Sequence, residues 1–179
     1  LPAFKGLNHD YQELPEAVII LIMNRPVVYV DADACPVKQE TYRVAQRHGL
    51  KVTLVSNSWM RIPTETWLDL VVVPGDLDAA DDWIVERVAP GDIVVSADIP
   101  LAARCLEKGA RVLGPRGHDF TEDSIGDAVA TRELLSNLRD AGAISGGPPP
   151  IEQRDRSRFL HRLDEMIREE LRRNPNAAS

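Results

Sequence analysis

The sequence predicts an α/β protein, a parallel sheet with helices on both faces and therefore three layers. Three observations predict it. Short, continuous Val- and Ile-rich runs recur along the chain, as strands buried on both faces require. Helical stretches separate these runs, so that strand and helix alternate five times. Glycine and proline punctuate the segments, as at Gly49, Pro74-Gly75, Pro90-Gly91, Gly109 and Gly114-Pro115.

Val27 to Asp31 is the first strand, and Pro36 suits the first position of a helix over Val37 to His48 that Gly49 stops. Lys51 to Val55 is the second strand. It runs into the polar turn Ser56-Asn57-Ser58 and a loop with Trp59, Pro63 and Trp67. Asp69 to Val73 is the third strand, after which Asp78 reads as the N-cap of a helix from Ala79 to Val88. Asp92 to Ser96 is the fourth strand, Asp98 to Lys108 a helix, and Arg111 to Leu113 a short fifth strand. Thr121 to Asp140 is a helix, and Arg158 to Arg173 closes the chain as an amphipathic one. Residues 1–22 show no clean periodicity and begin with Leu, which reads as an N-terminal extension or a displaced start. Residues 23–145 read as one α/β domain, and 146–179 as a Gly/Pro linker with a helix packing on that same domain.

The 179 residues suffice for one sizeable core. A composition of 44% apolar and 27% charged residues is that of an ordinary globular protein, and the net charge of −7 argues against a broad basic nucleic-acid surface. Between Thr64 and Ile99 there are nine acids against one basic residue, Arg87. Two cysteines, Cys35 and Cys105, make no disulfide framework or zinc spacing, and the apolar run Ala17 to Met23 is too short to span a bilayer. The expected location is the cytoplasm.

Ligands of open parallel sheets sit beyond the carboxyl ends of the strands, where strand order reverses. That rule selects Asp31 and Asp33 after strand one, Asp76 to Asp82 after strand three, and Ser96 to Asp98 after strand four. In extended backbone the i, i+2 spacing of Asp31 and Asp33 turns both carboxylates toward one point. Asp78, Asp81 and Asp82, at i, i+3 and i+4, share one face of a helix start. Carboxylates so grouped hold Mg2+ or Mn2+, which activate water and stabilise attack on phosphate. Asp31 is the hardest to read as merely structural, because an acid ending a buried Val-rich strand needs a partner. Asp78 reads first as a cap, and Asp98 equally as cap or ligand. Cys35 at a helix start reads as a partly buried cap-region residue before a nucleophile. Asn57, Ser96 and Arg156 are candidates for contacting substrate, with turn satisfaction and a solvated helix face as their plain alternatives.

Val30-Asp31-Ala32-Asp33-Ala34-Cys35-Pro36-Val37-Lys38, Ala80-Asp81-Asp82-Trp83-Ile84, Asp98-Ile99-Pro100-Leu101-Ala102 and Gly146-Gly147-Pro148 with Asp155-Arg156 together resemble the YaiI/YqxD family of uncharacterised bacterial proteins. The resemblance spans Val27 to Leu171, with Ser96-Ala97-Asp98 in place of a Thr-Gln-Asp-like triplet and His118-Asp119-Phe120-Thr121 in place of a more basic segment. That family in turn looks like the PIN-like nucleases, which implies a five-stranded sheet in the order 3-2-1-4-5 and an acidic cluster binding Mg2+ or Mn2+. By that resemblance Asp31 is the first-strand acid, Asp81 the mid-chain helix acid and Asp98 the acid after strand four. The second acid has no clear equivalent, with Glu40 or Asp33 as substitutes.

The expectation is a divalent-metal-dependent nuclease acting on RNA. Asp31, Asp33, Asp81 and Asp98 would do the chemistry, and Asp82 would join them around the metal. The alternatives are a PIN-like module that binds RNA or protein without cutting, and a phosphatase using Asp31-Ala32-Asp33 as nucleophile and acid.

Overall fold

Val28, Tyr29 and Val30 are buried and only Asp31, the last residue of the strand, is partly open, which fits a strand at the centre of a sheet. In the computed structural model, which describes residues 25–33, 35–76, 78–147 and 149–173, this strand β1 (Val28–Asp31) holds that place. The N-terminal extension expected over 1–22 lies outside the described residues. The chain continues as α1 (Lys38–Arg47), β2 (Val52–Ser56), β3 (Leu68–Val72), α2 (Ala79–Arg87) and β4 (Ile93–Val95). It ends with α3 (Ile99–Glu107), β5 (Arg111–Leu113), β6 (Asp119–Phe120), α4 (Glu122–Asp140) and α5 (Gln153–Arg173).

The strand order is β3-β2-β1-β4-β5-β6, and every pairing is parallel except β5 with β6. The expected order 3-2-1-4-5 is present, with one strand added. The added β6 is two residues long, too short to leave a sequence period. It forms because Gly114 and Gly117 fold the chain back on itself: Gly117 N–H donates to Gly114 O (2.9 Å) and Gly114 N–H to His118 O (2.9 Å). The turn is tight: Gly117 has φ of +77°, and a Cβ at Gly114 would lie 2.6 Å from the His118 ring.

Alternation along the strands sorts the helices into two layers. Val28, Val30, Leu54 and Val95 pack with Tyr42, Val44 and Ala45 of α1 and with Phe159, Leu163, Met166 and Ile167 of α5. Tyr29, Val55 and Val94 pack on the other face with Ile84 of α2, Leu101 and Cys105 of α3, and the flank of α4 through Ile125 and Ala128. The closing helix therefore lies in the core of the same domain. It begins at Gln153, five residues before the expected start, because the Asp155 carboxylate accepts from the Glu152 N–H (3.1 Å) and from Arg116 (2.7 Å). No helix among the described residues is long and apolar enough to cross a membrane.

Candidate functional site

Strand order reverses between β1 and β4, so the crevice predicted for α/β sheets opens at the carboxyl ends of those two strands. Asp31 ends β1 two residues after Tyr29, and Ser96 follows β4 two residues after Val94. The strand period thus sends both toward the α2/α3 layer. They meet there: Ser96 Oγ donates to Asp31 Oδ2 (2.8 Å) and accepts from the Asp98 N–H (2.9 Å). A cavity of ≈ 20 Å³ beside them is lined by Asp31, Cys35, Ser96, Ala97 and Pro115, room for about one water or small ion.

The charges of Asp31, Asp81 and Asp98 act on one another, and that of Asp33 acts on Asp31. The Asp31 carboxyl is raised above its ordinary range first by burial; the Ser96 hydrogen bond and Lys38 oppose this, and the charges of Asp33 and Asp98 add to it. Asp81, in the first turn of α2, is pushed up to about 6 by burial and then by Asp98, Asp31 and Asp78, with Arg104 pulling it down. Asp98 is the N-cap of α3, its Oδ1 accepting from the Leu101 N–H (2.8 Å). One carboxylate thus caps α3 and adds its charge to Asp31 and Asp81.

The other candidates are placed elsewhere. The strand ends at Asp31, so the extended spacing that would align Asp33 with it is lost. Asp33 turns to the exit of β2, where Oδ1 accepts from Ser56 Oγ (2.5 Å) and Oδ2 from the Asn57 N–H (2.8 Å). Asn57 thereby enters through its backbone, as the anchor of that turn. Asp82 points to α3 and pairs with Arg104 (2.6 Å) on the surface. Asp78 stands at the N-cap position of α2 without a side-chain cap hydrogen bond. Arg156 bridges helices, donating to Pro36 O (2.8 Å) and Glu40 Oε1 (2.9 Å). Glu40 is thus engaged by an arginine, and its Oε2 is buried without a hydrogen-bond partner among the described residues. Burial pushes the Cys35 thiol up to about 11, which keeps it protonated and removes it as a nucleophile.

Lys38 escaped the sequence reading. Its Nζ donates to Ala32 O (2.8 Å), and its charge acts on Asp31. The signal was present: a lysine at the start of a helix directly after the acidic strand end lies on the same rim.

Asp31, Asp81 and Asp98 offer only oxygen, the donor chemistry of a hard divalent cation. Among the described residues no three acidic, histidine or cysteine side chains converge as a ready metal cage. Mg2+ does not require one, since it usually keeps several waters and takes one or two carboxylates together with substrate phosphates. The residues fit such an ion loosely: Asp31 lines the water-sized cavity, and Asp81 and Asp98 are coupled to it by charge.

Comparison with known proteins places this arrangement in a family. A UPF0178 protein of Rhodopseudomonas palustris is 55% identical over 149 residues, which is 83% of this chain and 91% of the relative. UPF0178 proteins of Paramagnetospirillum magneticum and Brucella ovis are 54% and 56% identical, over 78% of this chain and 93% and 88% of theirs. No solved structure matches. The model of the uncharacterised YaiI/YqxD family matches residues 29–169, from the middle of β1 into the last turns of α5, and the chain belongs to that family.

Proposed function

We propose that the protein is a divalent-metal-dependent phosphodiesterase acting on RNA, with Asp31, Asp81 and Asp98 holding Mg2+ or Mn2+. The observation that supports this reading is that the end of β1, the start of α2 and the loop after β4 each bring an acid to the rim where strand order reverses, with their charges acting on one another. Like charges gathered in a half-buried crevice are held against their own repulsion, which a cation relieves. When bound, such an ion supplies positive charge toward a phosphoryl oxygen and makes water a nucleophile at neutral pH.

The chain's own groups have separable tasks. The Ser96 hydroxyl fixes the direction of the Asp31 carboxylate across the β1–β4 gap. Asp98 is held by the α3 N-terminus, and Asp81 is carried in by the start of α2. Lys38, tethered to Ala32 O, adds a positive charge on the same rim, suited to an incoming phosphate. Asp33 stands beside this set, its charge acting on Asp31 while each of its oxygens accepts a hydrogen bond from the β2 exit. The same commitment weakens the phosphatase reading, which needs Asp33 as a proton donor beside Asp31.

A second reading has its own support. Glu40 is engaged by Arg156 and Asp33 by Ser56, so each substitute for a fourth acid is already held by a partner within the fold. A module of the same shape that binds RNA without cutting it fits that gap. Hydrolysis of a short single-stranded RNA under Mn2+, Mg2+ or EDTA separates the two. Metal-dependent cutting by the wild type that Asp31→Asn abolishes is the expected result; no cutting under either metal contradicts the nuclease.

A further inference from the structure

The chain has three tryptophans, and two are packed as aromatic side chains ordinarily are. Trp67 lies edge-on to Tyr42 with ring centroids 6.2 Å apart. Trp83 lies edge-on to Tyr29 at 6.4 Å and carries the Arg87 guanidinium 4.0 Å over its ring. Trp59 has no such neighbour among the described residues and is 74% exposed. Its indole is therefore open to whatever approaches this segment.

The segment that carries Trp59 is built to display it. After β2 the chain runs without regular structure, and alternate side chains point opposite ways. Met60 and Ile62 pack on the core, whereas Trp59 and Arg61 face solvent. Arg61 makes no ion pair or hydrogen bond among the described residues. Two exposed positions of this segment, two residues apart, therefore carry an indole and a guanidinium. The turn just before it is clamped to the candidate site. Asp33 accepts from Ser56 Oγ and the Asn57 N–H, and Ser56 Oγ in turn accepts from the Ser58 N–H (3.2 Å). Asp33 follows Asp31 by two residues, so the clamp ties the Trp59 segment to the rim that holds the carboxylates.

Resting on the reading of the site as one for RNA, we infer that Trp59 is a stacking platform for a nucleobase of a single strand, with Arg61 beside it for the backbone phosphate. Asp33 is the positioning residue that fixes both relative to Asp31. The chemistry favours a single strand, because only unpaired bases offer a free face to an indole. It also explains how a chain of net charge −7 holds a polyanion: stacking supplies affinity that long-range attraction does not.

The test is made on the full chain in EDTA, so that nothing is cut, with a short fluorescein-labelled oligouridylate as probe. Trp59→Ala is expected to weaken binding about ten-fold, and Trp59→Phe to stay within about three-fold of wild type. An oligomer with the same backbone but abasic is expected to bind wild type no better than the RNA binds Trp59→Ala. Equal affinity of Trp59→Ala and wild type overturns the platform, as does equal binding of the abasic strand. A Trp59-dependent self-association with no response to the oligomer also overturns it, by showing a protein contact instead. The two readings fail separately: Mn2+-dependent cutting that Trp59→Ala leaves unchanged removes the platform and keeps the nuclease. Trp59-dependent binding without cutting under any metal does the reverse.

Discussion

Asp31 and Asp81 at the strand ends, and Asp155, Asp164 and Glu169 on α5, are the same chemical groups under opposite pressure. On α5 each acid faces a cation or a donor. Asp164 takes hydrogen bonds from His48 (2.8 Å) and Arg168 (2.6 Å), and Glu169 takes them from Arg111 (2.5 Å) and Arg162 (3.3 Å). Asp155 takes them from the Glu152 N–H and Arg116. All three carboxyls lie below their usual range, through those hydrogen bonds first. At the strand ends burial first, and then the charges of neighbouring acids, holds Asp31 and Asp81 above theirs. Charge on α5 joins elements of the fold. Charge at the β1–β4 crevice is offset only in part, by Lys38 and the Ser96 hydroxyl at Asp31 and by Arg104 at Asp81.

The contrast breaks most visibly on the α5 side. Arg162 grips Asp119 through two nitrogens (2.7 and 2.5 Å) and also reaches Glu165 and Glu169, and it is 24% exposed. Arg162→Met leaves Asp119 and Glu169 with Arg111 alone and is expected to lower stability by about 2–3 kcal/mol in urea unfolding. Removing charge from the crevice should act in the opposite sense. Asp31→Asn in metal-free buffer is expected to raise stability by about 1 kcal/mol, the pattern of a site kept at the expense of the fold. A loss of stability comparable to that of Arg162→Met would make Asp31 a structural acid like those on α5.

The pH dependence sharpens the same comparison. Asp81 titrates near 6 in the folded chain, above the ordinary carboxyl value, so its favourable contribution is present below that ordinary value and lost as pH rises through about 6. The α5 acids are lowered, so their contribution is present above their unfolded values and lost as pH falls through their folded ones. In EDTA, the Tm of Asp81→Asn should therefore equal that of wild type near pH 4 and exceed it by a few degrees above pH 6. A constant difference across that range contradicts the placement of Asp81. The smallest effect belongs to Asp82, whose pair with Arg104 is exposed on both sides. Asp82→Ala is expected to change stability by less than about 1 kcal/mol.

How much of this was legible follows from what each feature depends on. The five parallel strands were legible because buried Val and Ile runs are a local property, and their ends fell within a residue or two of the expected ones. The strand β6 was not, since Asp119 and Phe120 pair with β5 only through the turn at Gly114 and Gly117. Asp98 reads in sequence as cap or ligand, and it is a cap whose charge also acts on Asp31 and Asp81. Asp81 and Asp82 are neighbours in sequence, and only the placement of α3 with Arg104 tells which one turns outward. The strand period that aligned Asp33 with Asp31 assumed a strand that in fact ends at Asp31, and nothing local marks Ser56 as the partner that captures Asp33.

The central claim is that the β1–β4 crevice takes a divalent cation, and titration of Mn2+ into the metal-free protein tests it most directly. Wild type and Asp82→Ala should bind with affinities within about two-fold of each other, and Asp31→Asn at least about ten-fold more weakly. Equal binding by wild type and Asp31→Asn, or no saturable binding by wild type at millimolar Mn2+, would contradict the account.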